Sequence, residues 1–343
     1  MVDGFSPHAS RRVAFLPSKV RGVALITVLL FFAFLAAIAV RLSVNHSLLI
    51  AQSHNAFASD LGLSYAMGGE DMARQVLYED FTQSGKDSDH LQEIWARPLP
   101  PLSLDEGGQI EVQIRDLNGC FNLNALGSET PAPIKGFMVN LVTGLGFGPE
   151  IADRISDWID ADDVAVGFGA EDSEYLLADP AYRTPNTAMG DVSELRLLHG
   201  QDEDPTHVLS RYTCVLPVAS MSLNVNTVDG DVLASLIAQP DLSRYRAFAL
   251  GDRNFRTVAD FLQTNPEFAP FATYLTVVSE YFRIDSQVQI DETLTIMSSV
   301  ARRDPTTGKV SILSRDFGRD FRTRVQIKVE EDDGAQTARP QGI

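Results

Sequence analysis

The side chains best suited to chemistry lie between residues 157 and 174, where acidic residues crowd around Gly167 and Gly169. The carboxylates of this segment are Asp157, Asp160, Asp162, Asp163, Glu171, Asp172 and Glu174. Calcium takes six to eight oxygen ligands at variable angles, so a flexible acidic loop suits it. The spacing is not that of an EF-hand, and a solvated acidic loop is the alternative interpretation. Because four of the carboxylates bracket the glycines and could converge, we predict calcium ligands at Asp160, Asp163, Glu171 and Asp172.

No catalytic constellation accompanies this acidic segment. The G-x-S-x-G, P-loop and H-E-x-x-H motifs are absent from the sequence. The histidines are scattered without a partner pattern, at His8, His46, His54, His90, His199 and His207. We therefore predict no enzymatic activity. The alternative is an anchored hydrolase that uses the acidic loop to hold a metal ion.

Leu145-Gly-Phe-Gly148 is too short for a dinucleotide-binding fingerprint, but it is typical of a helix-hairpin-helix turn in which Pro149 begins the second helix. In nucleic-acid-binding proteins such a turn offers backbone N–H groups to phosphate. Here the acids Glu150, Asp153 and Asp157 follow it, and 46 Asp and Glu outnumber 28 Lys and Arg, for a formal net charge of -18. This charge opposes phosphate, so we predict no nucleic-acid partner.

The two cysteines, Cys120 and Cys214, have neither a CxxC spacing nor a Cys/His spacing that would indicate zinc. If the body of the chain is exported, they can pair into a disulfide that closes a long loop. Such a bridge contributes at most about 4 to 5 kcal/mol in the chain-entropy model. Two separate buried thiols are the alternative.

An apolar segment near the N-terminus, Val23 to Val40, contains no charged residue and is long enough to span a bilayer. Four basic residues precede it, at Arg11, Arg12, Lys19 and Arg21, whereas the body that follows is acidic. By the positive-inside rule, the leader stays in the cytoplasm and the body crosses the membrane.

The apolar helix is expected to continue as an amphipathic stalk, with a break at Pro98, Pro100 and Pro101. Helical segments separated by glycine and proline then run from about 124 to 281, and one of them, 224–237, has Asn226 or Thr227 as its expected cap. Strand-like alternation occurs at 109–115, 282–290, 293–301, 310–314 and 323–329. The predicted class is therefore α+β, with an antiparallel sheet whose first strand is separated from the others by a helical insertion.

The junction before the apolar helix, Arg21-Gly22 followed by Val-Ala-Leu-Ile, resembles a class III prepilin signal. The resemblance implies cleavage between Gly22 and Val23, so that the apolar helix is retained. Pilins and most pseudopilins carry glutamate at the fifth mature position, which here is Thr27. This departure resembles the K-type minor pseudopilin of type II secretion, which characteristically lacks that glutamate. A plain signal anchor is the alternative.

The body also resembles the K-type pseudopilins, over nearly the whole chain. The segments that carry the resemblance are Asp116-Leu-Asn-Gly-Cys-Phe-Asn-Leu-Asn124, Asp157-Trp-Ile-Asp-Ala-Asp-Asp163, Glu194-Leu-Arg196 and Leu223-Asn-Val-Asn-Thr227. The resemblance implies a pilin-like fold, in which a long N-terminal helix packs on a small antiparallel sheet that is interrupted by a large α-helical domain. It also implies calcium bound in that helical domain.

These observations predict six divisions of the chain. They are a prepilin leader (1–22), a transmembrane and stalk helix (23–97), the first part of the sheet domain (98–123), an inserted helical domain with helix-hairpin-helix-like units (124–280), the remaining sheet (281–329) and a disordered tail (330–343). The resemblance implies a single-pass protein of the inner membrane whose C-terminal body lies in the periplasm.

The function implied by the resemblance is that of a minor pseudopilin at the tip of the type II secretion pseudopilus, which initiates assembly and performs no reaction. The implied partners are the I- and J-type minor pseudopilins, the major pseudopilin and prepilin peptidase, which would also methylate Val23. The alternative from another class is a signal-anchored periplasmic binding or adaptor protein that is not part of a fibre.

Overall fold

A computed structural model describes residues 18–97, 100–105, 107–128, 131–198 and 206–318. The chain forms two compact units, Met1–Asp60 and Leu61–Ile343. The first seventeen residues of the predicted leader, the predicted strand 323–329 and the predicted tail 330–343 lie outside the described residues. The boundaries predicted within the second unit, at 124 and 281, remain a prediction.

The first element, α1 (Ser18–Asp80), includes the apolar segment, whose side chains are exposed from Val23 to Val40. Among the described residues, it is the helix long and apolar enough to cross a membrane. The predicted extent of the helix to residue 97 is wrong, because a π turn follows at Phe81–Gly85 and a 3-10 turn at Ile94–Ala96. The physical reason is local: the run TQSGKDS after Phe81 is rich in residues of low helix propensity.

The remaining strands and helices follow one another in groups along the chain. In order they are β1 (Leu102–Leu104), β2 (Gly108–Asp116), β3 (Phe121–Asn122), α2 (Pro131–Gly144), α3 (Glu150–Ile159), α4 (Asp172–Tyr175), α5 (Thr206–Leu209), β4 (Thr213–Cys214), β5 (Leu223–Asn224), α6 (Gly230–Ala234), α7 (Leu242–Leu250), α8 (Val258–Thr264), β6 (Leu275–Thr276), β7 (Tyr281–Ile290), β8 (Thr293–Arg303) and β9 (Val310–Asp316). Further 3-10 turns lie at Leu123–Gly127, Val192–Leu197 and Pro266–Tyr274.

Five of the strands form one antiparallel sheet in the order β1-β2-β7-β8-β9. The four strands predicted within the described residues are confirmed, each lengthened at one or both ends. Strand β2 precedes the insertion and pairs along its whole length with β7, which follows it, from Gly108 opposite Ile290 to Asp116 opposite Phe282. The α+β class and the interrupted sheet are therefore confirmed.

One face of this sheet is covered by the part of α1 after Leu61. Every second residue of β2 points to the helix, and Ile110, Val112 and Ile114 are buried there. A β-carbon at Gly69 would lie 2.8 Å from Val112 Cγ2 and 2.9 Å from Ile110 Cδ1. Glycine therefore lets the helix backbone approach the sheet closely, and this packing offsets the helix propensity that glycine lacks.

The insertion contains little regular secondary structure, and asparagine side chains form many of the hydrogen bonds to its backbone. Asn122 Nδ2 donates to the carbonyls of Val218 and Ser220, and its Oδ1 accepts from Leu216 N. Asn124 donates to the Met189 and Leu216 carbonyls and accepts from Met189 N. These bonds satisfy buried backbone groups that neither helix nor sheet reaches.

A disulfide joins Cys120 to Cys214, with 5.8 Å between the two α-carbons. It lies beside the short parallel pair of β3 and β4, in which Phe121 is opposite Thr213 and Asn122 is opposite Cys214. The bridge spans 94 residues. It therefore fastens the beginning of the insertion to a segment from its middle.

The predicted cap of the helix at 224–237 is wrong. The helix begins at Gly230, and Asp229 caps it by accepting a hydrogen bond from Asp231 N. Asn226 instead bonds the backbone of Phe255 through both its amide atoms. Thr227 donates to the Asp116 carboxylate. Both predicted capping residues therefore use their side chains in tertiary hydrogen bonds and do not cap the helix.

The segment before β7 meets the end of α1 and the segment that follows it at a buried arginine, Arg303, on β8. Its Nη2 lies 2.5 and 2.6 Å from the two carboxylate oxygens of Asp89 and donates to the Ser279 carbonyl. Its Nη1 lies 3.3 Å from Asp80 Oδ2. Burial and the neighbouring Glu93 raise the pKa of Asp80 to about 6, and burial raises that of Asp89 to about 7.

Asn224 extends this polar network into the insertion. Its Nδ2 donates to the Asp89 carbonyl, to Asp116 Oδ2 and to Ser279 Oγ. Ser279 Oγ also donates to Asp116 Oδ2. The network thus connects the segment after α1, the end of β2, β5 and the segment before β7. We call Arg303, Asp89, Asn224, Ser279 and Asp116 the junction network.

Arg303→Met tests the junction network. The substitution keeps most of the apolar volume but leaves Asp89 and Asp80 buried without their cation, which lowers the free energy of unfolding by about 3 to 5 kcal/mol. Chemical denaturation of the purified chain measures this. The control is the adjacent Arg302→Met, whose partner Glu280 is exposed, so the loss is below about 1 kcal/mol. Equal losses for the two variants would contradict the assignment.

Candidate functional site

The candidate site is built on α3, which enters the insertion through the turn predicted at Leu145–Gly148. Gly146 adopts a φ of 92° there, a left-handed conformation that favours glycine. The apolar face of α3 buries Ile151, Ile155 and Trp158 in the core of the insertion. This packing fixes the helix, and with it the carboxylates that the helix carries.

The glycine loop after α3 folds back over two of those carboxylates. Asp157 Oδ2 accepts a hydrogen bond of 3.1 Å from Val166 N, and Asp153 Oδ2 accepts one of 2.9 Å from Phe168 N. Gly167 has a φ of 67°. A β-carbon at Gly169 would collide with the Asp157 carboxylate. The glycines therefore allow the loop backbone to reach α3 at a distance that a side chain would prevent.

Three carboxylates converge inside this loop. One oxygen each of Asp160, Asp162 and Glu171 lies within 4.8 Å of the others. In the described part of the chain, Asp157 Oδ1, Asp160 Oδ1 and Glu171 Oε1 are buried without a hydrogen-bond partner. Buried oxygens without a partner are costly, and a cation between them removes that cost.

The electrostatics of the cluster agree with its geometry. Burial, followed by the charges of Asp157, Asp160 and Asp163, raises the pKa of Glu171 to about 7. Burial also raises the pKa of Asp157 to about 6, although Val166 N donates to it. The pKa of Asp160 is raised by burial and by the charge of Asp162. The carboxylates repel one another and hold the negative charge that a cation would neutralise.

The four predicted ligands do not all lie together in the structure. Asp160 and Glu171 belong to the converging group, and Asp163 is near enough for its charge to act on Glu171. Asp172 faces elsewhere: its Oδ1 accepts from the backbone N and the hydroxyl of Thr184, and its Oδ2 lies 2.9 Å from Arg183 Nη1.

Asp162, named in the acidic segment but not among the predicted ligands, and Asn186, which the sequence did not single out, also belong to the site. Asn186 Nδ2 donates to the Asp162 carbonyl and to Asp163 Oδ1, at 3.0 and 2.8 Å, while its Oδ1 is buried without a partner among the described residues. Its φ of 45° is left-handed, which asparagine tolerates better than most residues. No spacing in the sequence connects residue 186 to residue 163.

The donor set of this site consists of oxygen atoms only, from carboxylates and one amide. Hard cations such as calcium bind oxygen and accept irregular geometry, whereas zinc and copper favour nitrogen and sulfur. A second acidic group, Asp80, Asp89 and Glu93, also converges. There Arg303 already supplies the positive charge to Asp80 and Asp89. The loop around Asp160 is therefore the better candidate for a cation.

The predicted processing residues lie in the first helix. Gly22 and Val23 are within α1, and the Val23 side chain is 63% exposed. The Thr27 hydroxyl donates to the Ala24 carbonyl at 2.9 Å, within its own helix. The side chain at the fifth position after Gly22 therefore has its hydrogen bond satisfied locally.

Glu171→Gln tests the repulsion in the cation-free site. Because the folded pKa of Glu171 is about 7, above its ordinary 4.5, its contribution to stability is complete below 4.5 and lost as pH rises through 7. Glutamine is neutral at every pH, so in chelator the variant gains about 1 to 2 kcal/mol over the parent between about pH 5 and pH 8.

Chemical denaturation at several pH values measures the gain. The matched control is Glu292→Gln, an exposed residue in the β7–β8 turn outside the acidic loop, for which no comparable gain is expected. A Glu171→Gln variant that loses stability at pH 8 would show that the carboxylate is stabilising, contrary to the expected repulsion.

Comparison with known proteins gives consistent relatives. A family model described as "Type II secretion system (T2SS), protein K" matches residues 119–218. The chain is 37% identical over 312 residues to type II secretion system protein K of Pseudomonas aeruginosa, covering 87% of this chain and 92% of the relative. It is 30% identical over 325 residues to the protein of that name in Pectobacterium carotovorum, covering 88% and 97%.

A solved structure is similar over most of the fold. The crystal structure of the GspK-GspI-GspJ complex from enterotoxigenic Escherichia coli contains a chain that matches with a TM-score of 0.69 and 27% sequence identity. The match covers 79% of this chain and 99% of the other. The likeness therefore covers most of this chain and nearly the whole of the solved one.

Proposed function

Because the chain belongs to the type II secretion system protein K family, we propose that it acts as a minor pseudopilin at the tip of the secretion pseudopilus. The identity to the Pseudomonas aeruginosa protein over most of both chains is the observation that carries the proposal. In this proposal the protein initiates fibre assembly and supports secretion across the outer membrane. It performs no reaction of its own.

The position at the tip is supported by Thr27. A carboxylate buried among the apolar helices of a fibre needs a positive charge from a neighbouring subunit. The Thr27 hydroxyl needs none, because it donates to Ala24 in its own helix. A subunit without that requirement can occupy the one place where the subunit above is missing.

The proposed partners follow from this position. The related Escherichia coli structure contains GspK together with GspI and GspJ. We propose that the I- and J-type proteins bind this chain in the same way, with the major pseudopilin assembling beneath them. The apolar helix holds the chain in the inner membrane as a single-pass protein, with the body in the periplasm, and the insertion is the part that caps the fibre.

Prepilin peptidase is the proposed processing enzyme. We expect mass spectrometry of the chain extracted from membranes to find an N-terminus at Val23 carrying a methyl group. Gly22→Val replaces the small residue at the cleavage position, so the variant should retain residues 1–22 and lose at least tenfold in secretion. Gly4→Val, elsewhere in the leader, is the control and should be processed normally.

An unprocessed wild-type chain would overturn the pseudopilin assignment. Such a chain, still beginning at Met1, would instead favour a signal-anchored periplasmic adaptor. Failure of the processed chain to co-purify with the I- and J-type proteins would contradict the proposed partners while leaving the processing intact.

We also propose that the acidic loop binds calcium through Asp160, Asp162, Asp163 and Glu171, with Asn186 as a neutral oxygen donor. The buried oxygens without partners support this set. Asp172 joins it only if its bonds to Arg183 and Thr184 open. Bound calcium would neutralise the repulsion in the loop and hold α3, the glycine turn and residue 186 together.

At about a hundredfold excess over its dissociation constant, calcium contributes about 2.7 kcal/mol and should raise the unfolding midpoint of the metal-stripped chain by roughly 4 to 5 °C. Asp160→Asn and Glu171→Gln should abolish this rise, because each removes a charged ligand. Asp172→Asn is the matched control from the same loop and should retain it. Thermal unfolding in calcium and in chelator measures the effect. A rise that persists in Asp160→Asn would place the ion elsewhere.

A further inference from the structure

Three apolar side chains project from the loop that carries the candidate cation site. Val164 is 66% exposed, Val166 is 51% exposed and Phe168 is 74% exposed. They occupy alternate positions in a segment whose residues 161–168 are all exposed. A single exposed apolar residue is common on protein surfaces. A group of them on one loop indicates a surface that contacts another protein or a membrane.

The backbone of this loop is held in place by hydrogen bonds to carboxylates. Val164 N donates to Asp162 Oδ1 at 2.9 Å, Val166 N donates to Asp157 and Phe168 N donates to Asp153. The three N–H groups of the three apolar residues are thus bonded to carboxylates. These bonds hold the loop backbone in the arrangement that exposes the three side chains, and one of the acceptors, Asp162, belongs to the converging group.

The candidate cation site opens towards the solvent on this loop. Glu171 is buried, Asp160 is half-buried and Asp162, two residues from Val164, is exposed. With one oxygen from each of the four proposed carboxylates and one from Asn186, the loop supplies five ligands, fewer than the six to eight oxygens that calcium takes. The coordination positions on the Asp162 side are therefore accessible to oxygen atoms from outside the protein.

The size and charge of this surface indicate what covers it. Three side chains bury at most a few hundred Å², well below the roughly 1,200 to 2,000 Å² of a stable protein interface. Partial insertion into a lipid headgroup region needs no larger area. A chain of net charge -18 is repelled by anionic headgroups unless a cation lies between them, and the cation site is adjacent to the apolar residues.

We propose that this loop docks on an anionic phospholipid surface in a calcium-dependent manner, with Val164, Val166 and Phe168 entering the headgroup and acyl boundary. The ion bridges the loop carboxylates and the lipid phosphate oxygens, and the apolar side chains add hydrophobic burial. The proposal rests on the calcium site proposed above. It assigns to the insertion a contact with membrane lipid that is separate from the apolar helix α1.

The test uses the full chain, held by α1 in phosphatidylcholine nanodiscs so that its own anchor is already occupied. Fluorescent vesicles of phosphatidylglycerol and phosphatidylethanolamine are added with calcium or with chelator, and the vesicles captured by immobilised nanodiscs are counted. Empty nanodiscs correct for vesicle clustering by calcium alone. We expect capture in calcium, its loss in chelator and none with phosphatidylcholine vesicles.

The variant that isolates the apolar contact replaces Val164, Val166 and Phe168 with serine. It should lower capture roughly tenfold or more, because the buried apolar area is lost. Its calcium-induced rise in unfolding midpoint should persist, because no ligand has changed. The matched control is Leu250→Ser, which removes a side chain that is 67% exposed at the end of α7 and should leave capture unchanged.

Each other result would overturn the docking proposal. Capture that is equal for the parent and the triple variant, or absent from a parent that binds calcium, leaves the calcium site intact but refutes docking. If capture is absent and the triple variant weakens co-purification with the I- and J-type proteins, the loop is a protein contact. A parent that does not bind calcium refutes both, whereas the pseudopilin assignment is decided separately by the N-terminus at Val23.

Discussion

The arrangement of the second unit depends on the burial of one guanidinium group. Arg303 is 1% exposed on β8, and a charge in that position is tolerated only with partners, which Asp89 and Asp80 provide. Asp89 is in turn bonded by Ser279 N, and its carbonyl accepts from Asn224. The network thus joins the segment after α1 to β8, to the end of β2 and to the segment before β7. The insertion can therefore leave after β2 and return before β7 without disturbing the pairing of those two strands.

Away from the junction, the insertion is held by side chains more than by regular structure. Its strands are two residues long and most of its helices have fewer than eleven residues. Asparagine amides complete the backbone hydrogen bonds, the disulfide closes the early half, and the buried aromatic and aliphatic residues form one core. Because the helices and strands are short, long surface loops connect them and are anchored at both ends by these side-chain contacts. The acidic loop over α3 is one of these loops.

Two groups of acidic residues in the second unit differ in the positive charge that lies beside them. Asp80 and Asp89 have an arginine between them, and the result is a rigid joint. Asp160, Asp162 and Glu171 converge to a similar distance with buried oxygens that lack partners. Lys135, which pairs with Asp153 at 2.8 Å, lowers the pKa of Asp160 only in part, because burial and the charge of Asp162 still raise it. The second group therefore keeps the negative surroundings that the proposed cation would neutralise.

The sequence alone determined the apolar helix, the four sheet strands in the described region, the helix-hairpin-helix turn and the acidic loop, because each depends on local composition or periodicity. The family resemblance was likewise visible in short segments such as the one from Asp116 to Asn124. Only the tertiary structure decided that Asp229 caps α6, that Asp172 turns to Arg183, and that Asn186 joins the acidic loop. Each of these depends on which distant residue offers the better hydrogen bond or charge, and spacing along the chain carries no record of that choice.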